Sequence, residues 1–480
     1  MTKENNSVKP KAKLTKKELH AQKWGSANIA DATAAFLEES MRSMSAEYGS
    51  SDICVAGKAG ELVIGLPAPS ISFEYLIQNN VYPCQRITQA LGEEGSCKSA
   101  FGFEVTRWAG KCGGIGTLFE TEKKYSPDYS ISIIGWDDPN RLGVIPCKTM
   151  EDWQSRLLAW IDKAKYAMTG TKEKPGSGRT WPGVLIIDSI MGALSQNTEK
   201  DLDTRGYAER RFPIEAMKLT DYLKNLPTNI EGWPFLVIAV NHLKLSKDDR
   251  GNTVRGRAGG KQLSFGETFE LEFSKRSRRP KTFADRKELT INITCFKNSL
   301  GETGRNIDVP VIWWHEPDPA TGEMRQKTVW DWHASTTDLL MTLDEPGITT
   351  RLKEIVDLRR VNSGGIKIWS KALGIPESDP QTYHETGKAI CKNKAIADEL
   401  RKLFGIKLRK KFQKGVDYRE QLKELKQKAM AAMEQMDEIP DEIAEPSEFA
   451  VADVDMLEPG TPEATVMEDD VHVKRRRSRS

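Results

Sequence analysis

Two rhythms of apolar and polar residues run through this chain, and the switch between them marks its elements. Val184-Leu-Ile-Ile187 is a continuous apolar run closed by Asp188, and Phe235-Leu-Val-Ile-Ala-Val240 is another, closed by Asn241-His242. Short apolar runs with polar ends are what a strand buried on both faces requires, as in a parallel sheet. Gln85-Arg-Ile-Thr-Gln-Ala-Leu91 and Thr117-Leu-Phe-Glu120 read as two further strands, the second running on to Glu122. Between them the apolar spacing changes to three and four. That spacing predicts helices over Ala100–Trp108 and over about Thr149–Met168, the latter including Trp153, Leu157, Leu158, Trp160, Ile161 and Ala164. Strands alternating with helices predict an α/β fold, a doubly wound and largely parallel sheet.

The flanks are built differently. Residues 1–25 are polar and lysine-rich and read as a disordered arm, followed by an amphipathic helix over Ser26–Met44 that packs on its own core or on a neighbouring subunit. From Gly60 the main domain begins, with an irregular entry and a short helix over Pro67–Ile77 ahead of the first strand, and a Gly/Lys/Thr-rich loop over Gly170–Trp181 reads as an insertion. Glu288–Phe296 and Ile307–Trp314 read as a hairpin with Lys297 and Arg305 near its tip; Trp313, Trp314, Trp330 and Trp332 read as packing residues. Beyond Pro346 helical segments are predicted through Ile355, over Ile366–Leu373, over Ala389–Leu403 and over Tyr418–Met433. The expected parts are thus 1–59 (arm and N-terminal helix), 60–340 (core), 341–435 (a small α-rich C-terminal domain) and 436–480 (tail).

Two long polar stretches leave the apolar strands at one edge of the sheet and read as structureless loops. Ser195–Phe212 carries Arg205, Arg210 and Arg211; Lys244–Phe265 carries Lys244, Lys247, Arg250, Arg255, Arg257 and Lys261 among four glycines. Long loops within a compact domain are functional or disordered. Cations and glycines with little apolar content suit a loop that orders on a nucleic-acid backbone. Solvated loops without a partner are the plain alternative.

Composition adds one large correction to the formal net charge of +2. Met436–Asp470 holds thirteen acids and no Lys or Arg, whereas Lys474–Arg479 holds five cations; removing both leaves about +10 for residues 1–435. A basic body with an acidic tail suits a polyanion binder that regulates itself, with solubility alone as the simpler account. The seven scattered cysteines form no C-x-x-C pair, which argues for reduced thiols, a cytoplasmic setting and no structural zinc. The N-terminus has no apolar signal region and no run reaches membrane length, so no membrane association is expected.

The chemistry lies between the first strand and its helix. Gly92, Glu93, Glu94, Gly95, Ser96, Cys97, Lys98, Ser99 and Ala100 follow the phosphate-loop pattern G-x-x-x-x-G-K-[ST], except that Cys97 stands where glycine is usual. Small residues let backbone N–H groups curl around a phosphate at a helix N-terminus. Lys98 would reach the β- and γ-phosphates of ATP, and the Ser99 hydroxyl would ligate Mg2+. Asp188, at a strand's carboxyl end beside that loop, would order the Mg2+ and its waters. The backbone at Cys97 must tolerate a Cβ.

A phosphate loop, an acid after the next strand, a metal aspartate and a polar strand end, in that order, resemble the RecA-type recombinases. The resemblance, which covers roughly Gly65–Trp314, is more specifically to phage-encoded recombinases of the RecA and UvsX kind. It implies a RecA-like ATPase core, a polymerisation role for the N-terminal helix, and ATP hydrolysis coupled to DNA. Glu122 matches the catalytic glutamate that polarises the attacking water. Tyr129 matches the tyrosine that stacks on adenine, and Lys297 a lysine that reaches the neighbouring subunit's nucleotide. His242 stands where the family has a glutamine sensing the γ-phosphate, and Ser299 where a second interface lysine is common. The two polar loops match the family's DNA-binding loops. The implied partners are single-stranded DNA, homologous duplex DNA, other copies of the chain in a helical filament, and a single-strand-binding or mediator protein. If phage-encoded, the setting is the bacterial host cytoplasm. Two rivals stay open: a ring-forming replicative helicase of the same core, with Arg305 as an arginine finger, and a packaging or scaffolding protein that uses ATP as a switch.

Overall fold

A computed structural model of the protein describes residues 40, 43, 44, 63–170, 176–192, 212–247, 253–257, 266–318, 321–361 and 367–436. The expected N-terminal helix (apart from residues 40, 43 and 44), the polar loop after residue 192 and the acidic tail with its basic end lie outside these. The described elements up to Ala432 form one compact unit; of the second unit, 433–480, only the end of the last helix is described.

The elements begin β1 (Ile64–Pro67), α1 (Ile71–Ile77), β2 (Val81–Pro83), β3 (Arg86–Gly92), α2 (Lys98–Lys111), β4 (Ile115–Glu120), α3 (Pro127–Ile134) and β5 (Leu142–Pro146). They continue with α4 (Met150–Thr169), β6 (Gly183–Asp188), α5 (Phe212–Ile230), β7 (Phe235–Lys247), β8 (Thr253–Arg257), β9 (Phe269–Lys275), β10 (Lys281–Thr282), β11 (Lys287–Asn298), β12 (Asn306–Pro317) and β13 (Met324–Trp330). The chain then adds α6 (Trp332–Thr342), α7 (Ile348–Ile355), β14 (Arg359–Val361), β15 (Lys367–Trp369), β16 (Gln381–Thr382), α8 (Tyr383–Lys392), α9 (Lys394–Leu403), β17 (Lys410–Lys411) and α10 (Tyr418–Met436).

Six strands pair side by side in the order β5-β4-β6-β7-β3-β9, all parallel. Beyond β9 the sheet extends antiparallel through β11, β12 and β13. The apolar runs explain why helices cover both faces. Val184, Ile186, Leu236, Ile238 and Val240 join one core with Phe101, Val105 and Trp108 of α2. Their alternates, Leu185, Ile187, Val237 and Ala239, join the other with Trp153, Leu157 and Ile161 of α4 and Leu223 and Leu226 of α5. Side chains of this kind contribute about 1.5–3 kcal/mol each when fully buried, so the two cores fix the strand order that carries the site. The doubly wound, largely parallel α/β sheet expected from the strand–helix alternation is the fold observed.

Several local expectations change. β1 and β2 precede the first expected strand. The strand from Phe235 does not end at His242 but runs on to Lys247 and pairs antiparallel with β8, so the second polar stretch contains a two-stranded ribbon. Leu243-Lys-Leu-Ser-Lys247 and Thr253-Val-Arg255 alternate with period two about Asp249-Arg-Gly-Asn252, a hairpin signal. The helix expected over Ile366–Leu373 is instead, from Lys367, the strand β15, in an antiparallel sheet with β14 and β16, because Ile366-Lys-Ile-Trp369 alternates after Gly364-Gly365. The helix expected over Ala389–Leu403 is two helices. Asn393 ends α8 and caps α9, its side chain accepting from the Ile396 N–H at 3.3 Å.

The C-terminal elements lock onto the start of the core. β17 pairs parallel with β1, and Arg401 of α9 makes a two-pronged ion pair with Glu74 of α1 at 2.7 and 2.8 Å. The Glu74 side chain is only 3% exposed. Removing the cation leaves a buried charge alone, so Arg401→Met is expected to lose about 3 kcal/mol or more of stability in urea unfolding. A loss below about 1 kcal/mol would mean that the pair behaves like a surface bridge. Among the described residues no helix is long and apolar enough to cross a membrane.

Candidate active site

The site forms where the parallel strands end. Register places Glu120 beside Asp188, Asp188 beside Val240, and Gly92 beside His242, so the carboxyl ends of β3, β4, β6 and β7 deliver their terminal residues to one edge. A cavity of about 290 Å3 opens there, lined by Glu94–Ala100, Glu122, Tyr129, Asp188 and His242.

Gly92 makes the turn out of β3. It has φ +156, and a Cβ there would lie 2.4 Å from the Phe273 carbonyl oxygen, so only glycine fits between β3 and β9. Cys97 then takes the left-handed conformation, with φ 66, immediately before α2 and without a side-chain cap. Its Cβ is tolerated at the position where glycine is usual, but a β-carbon in that region costs about 1–2 kcal/mol. Burial pushes the Cys97 thiol up to about 11, against the attraction of Lys275 and Lys98, so it stays protonated despite its place at a helix N-terminus. Cys97→Gly is expected to stabilise the chain by about 0.5–1 kcal/mol, the strain relief less the added freedom of the unfolded chain. Thermal melting checks this: a lower melting temperature would show that the thiol's packing outweighs the strain.

Lys98 is 5% exposed, and its ammonium donates to the carbonyls of Gly92 and Glu93 at 3.0 and 2.7 Å. Burial lowers its pKa, opposed by Asp188 and Glu122. The Ser99 hydroxyl hydrogen-bonds the Asp188 carboxylate, whose pKa burial raises, with Glu122 nearby adding to the rise. Ser96 turns inward, donating to the Glu93 carbonyl at 2.8 Å.

Glu122 follows β4 by two residues and is the most heavily bonded group at the edge. One oxygen accepts from the Ser189 hydroxyl at 2.7 Å and meets His242 Nε2 at 2.8 Å. The other lies 3.2 Å from the Lys124 ammonium, which also reaches Glu94 at 3.7 Å. Burial would raise the Glu122 pKa, but the bonds from Ser189, His242 and Lys124 hold it at about 2. Glu122 is therefore ionised and pinned.

Tyr129 lies in α3, 38% exposed as a residue, with its ring edge-on to Phe103 at 6.4 Å between centroids. A flat ring beside the phosphate loop can stack on a base. The donor set also fits a divalent cation bound largely through its ligand. Ser99 and Asp188 supply one hydroxyl and one carboxylate already in contact, and among the described residues no group of three or more His, Cys, Asp or Glu forms a cage. Mg2+ is characteristically held by one or two protein oxygens with phosphate oxygens and water completing the shell.

Lys297 is not brought to this cavity. β11 runs antiparallel to β9, which carries Lys297 to the opposite edge of the sheet, where it donates to the Glu267 carbonyl at 2.6 Å. Arg305 lies 4.3 Å over the Tyr75 ring and bonds Glu302. Of the expected DNA-binding residues, Arg205, Arg210, Arg211, Arg250 and Lys261 lie outside the described residues. Lys244 and Lys247 are on β7 and Arg255 and Arg257 on β8, in the ribbon that starts one residue after His242. Sequence reasoning passed over Ser189, Lys124 and Lys275. Ser189 and Lys124 follow the expected acids by one and two positions, which was their signal. Lys275, whose ammonium lies 3.4 Å from the Glu94 carbonyl, comes from β9 and had no local signal.

The chain is 21% identical over 282 residues to the protein RecA of Thermotoga sp. (strain RQ2), covering 58% of this chain and 72% of that protein. To the protein RecA of Thermotoga petrophila it is 21% identical over 263 residues, 54% of this chain and 67% of that one. To the protein RecA of Chlorobium chlorochromatii it is 22% identical over 219 residues, 46% and 56% of the two chains. No family model matches the chain. The similarity to RecA proteins is distant, spans about half the chain, and accords with the RecA-like arrangement of the sheet.

Proposed function

We propose that this chain is an ATP-dependent homologous recombinase that assembles filaments on single-stranded DNA and promotes strand exchange with a homologous duplex. One observation carries the reading: Lys98, Ser99, Asp188, Glu122 and His242 meet at the carboxyl edge of the sheet, in a chain distantly similar to RecA proteins. The loop N–H groups and Lys98 would hold the β- and γ-phosphates of ATP, Ser99 and Asp188 the Mg2+, and Tyr129 the adenine. Bound Mg2+ would neutralise charge developing on the phosphate oxygens. Glu122 would orient the attacking water, a task for a fixed acceptor more than a strong base, because phosphoryl transfer asks little proton removal before bond cleavage.

His242 would couple chemistry to DNA. It touches Glu122 and sits on the strand that continues as the β7–β8 ribbon. Binding or loss of the γ-phosphate would rearrange that contact and move the ribbon with it. Lys297, facing away from its own cavity, would serve the next subunit's nucleotide, and the N-terminal helix would join the protomers. The core over 60–340 would do this work, with 341–435 as an accessory domain and 436–480 as a regulatory tail. The phage-encoded type fits the same reading. A ring helicase would need a projecting arginine; Arg305 lying on Tyr75 speaks against that role. Electron microscopy with a slowly hydrolysed ATP analogue and single-stranded DNA tests the assembly. Helical filaments are expected, and closed rings would favour the helicase.

A further inference from the structure

The far end of α2 from the phosphate loop borders a second cavity, of about 380 Å3. Arg107 and Lys111, one helical turn apart, line it from α2. His333 and His384 line it from the first turns of α6 and α8, and their rings meet edge-to-face at 5.5 Å. Four basic side chains from three helices thus surround one space.

The nearby acids are already engaged. Asp331 accepts from His384 Nδ1 and from the Ala334 N–H, both at 2.9 Å. Glu104 is fully buried and accepts from Arg107 at 2.8 Å, from Trp108 at 2.8 Å and from Trp332 at 2.9 Å. Lys111 is exposed and has no ion pair or hydrogen bond among the described residues; partial desolvation, then Arg107, lowers its pKa, opposed by Glu104. His333 Nδ1 is buried and likewise has no partner among them. An unpaired buried polar atom such as His333 Nδ1 is costly, and an anion in the cavity would give an acceptor both to that nitrogen in its N–H tautomer and to the free ammonium of Lys111.

We propose that this cavity binds a small phosphate-bearing anion, inorganic phosphate or a phosphate monoester, held by Lys111 and Arg107 against the two histidines. Donors converging from three helices match the tetrahedral oxygens of a phosphate better than the plane of a carboxylate. The site is independent of the nucleotide reading, since it shares no residue with the phosphate loop.

Calorimetric titration of the full chain with inorganic phosphate tests it, in a Lys98→Ala background because the phosphate loop also suits that ion. Lys98→Ala is expected to retain a phosphate-binding event. Adding Lys111→Met should weaken it by roughly tenfold or more, the worth of one charge-assisted hydrogen bond, while Lys111→Arg should keep it within roughly threefold. His333→Phe, which keeps the ring volume without a donor, should also weaken it and serves if the Lys111→Met chain does not fold. Glycerol 3-phosphate binding tighter than inorganic phosphate would assign a monoester, and the reverse order free phosphate. Absence of phosphate binding in Lys98→Ala alone, or unchanged affinity in both Lys111→Met and His333→Phe, overturns the proposal.

Discussion

Lys98→Ala is expected to abolish ATP-dependent DNA binding. The Lys98 ammonium is held over the phosphate loop by two carbonyls and lies near both Asp188 and Glu122, so it is the cation that balances a pair of acids and, on the proposed reading, would also donate to phosphate. Charge-assisted hydrogen bonds contribute about 1.5–3 kcal/mol each. Losing two to the β- and γ-phosphates predicts an ATP affinity lower by roughly 100-fold or more. Fluorescence titration with a labelled nucleotide measures this, with a melting curve to confirm folding. A folded Lys98→Ala chain that binds ATP and then DNA tightly would remove the nucleotide site from the account.

Glu122→Gln is expected to separate binding from turnover. The amide keeps the shape and can still accept from Ser189, but it removes the negative charge that raises the Asp188 pKa and that, on the proposed reading, would face the γ-phosphate. ATP should therefore bind at least as tightly and filaments should persist, while hydrolysis falls by roughly 10²–10⁴-fold, the usual worth of a positioned acid–base group. The pH dependence has a definite sign. A group depressed to about 2 contributes its stabilisation above the ordinary carboxylate range and loses it only as pH falls towards 2, so Glu122 adds no acid limb to the rate between about pH 5 and 9. Unchanged turnover in Glu122→Gln would show that the water is oriented by another group.

Much of this site was legible because it is written locally. Gly92 to Ser99 lies in one stretch, Asp188 closes an apolar run, and Glu122 follows a short strand; strand-end chemistry of this kind survives even where element limits are misread. What could not be read was set by contacts distant in sequence. Ser189 matters because β6 lies beside β4, which brings its hydroxyl to Glu122, 67 residues away in the chain. Lys275 reaches the loop only because β9 pairs with β3. The ribbon after His242 was passed over for a different reason: its lysines, arginines and glycines looked like loop composition, and the period-two spacing of Leu243, Leu245 and Val254 was the weaker signal. The strand β15 was lost in the same way, since Ile368 and Trp369 suit a helix face as well as a strand.

On the proposed reading, His242 couples a nucleotide site at the sheet edge to a ribbon that would bind DNA. ATP hydrolysis by the full chain, with and without single-stranded DNA and at low and moderate salt, tests it most directly. Hydrolysis is expected to be stimulated roughly tenfold or more by single-stranded DNA, with the stimulation fading as salt releases the phosphate contacts. Hydrolysis that proceeds at one rate whether or not DNA is present would contradict it.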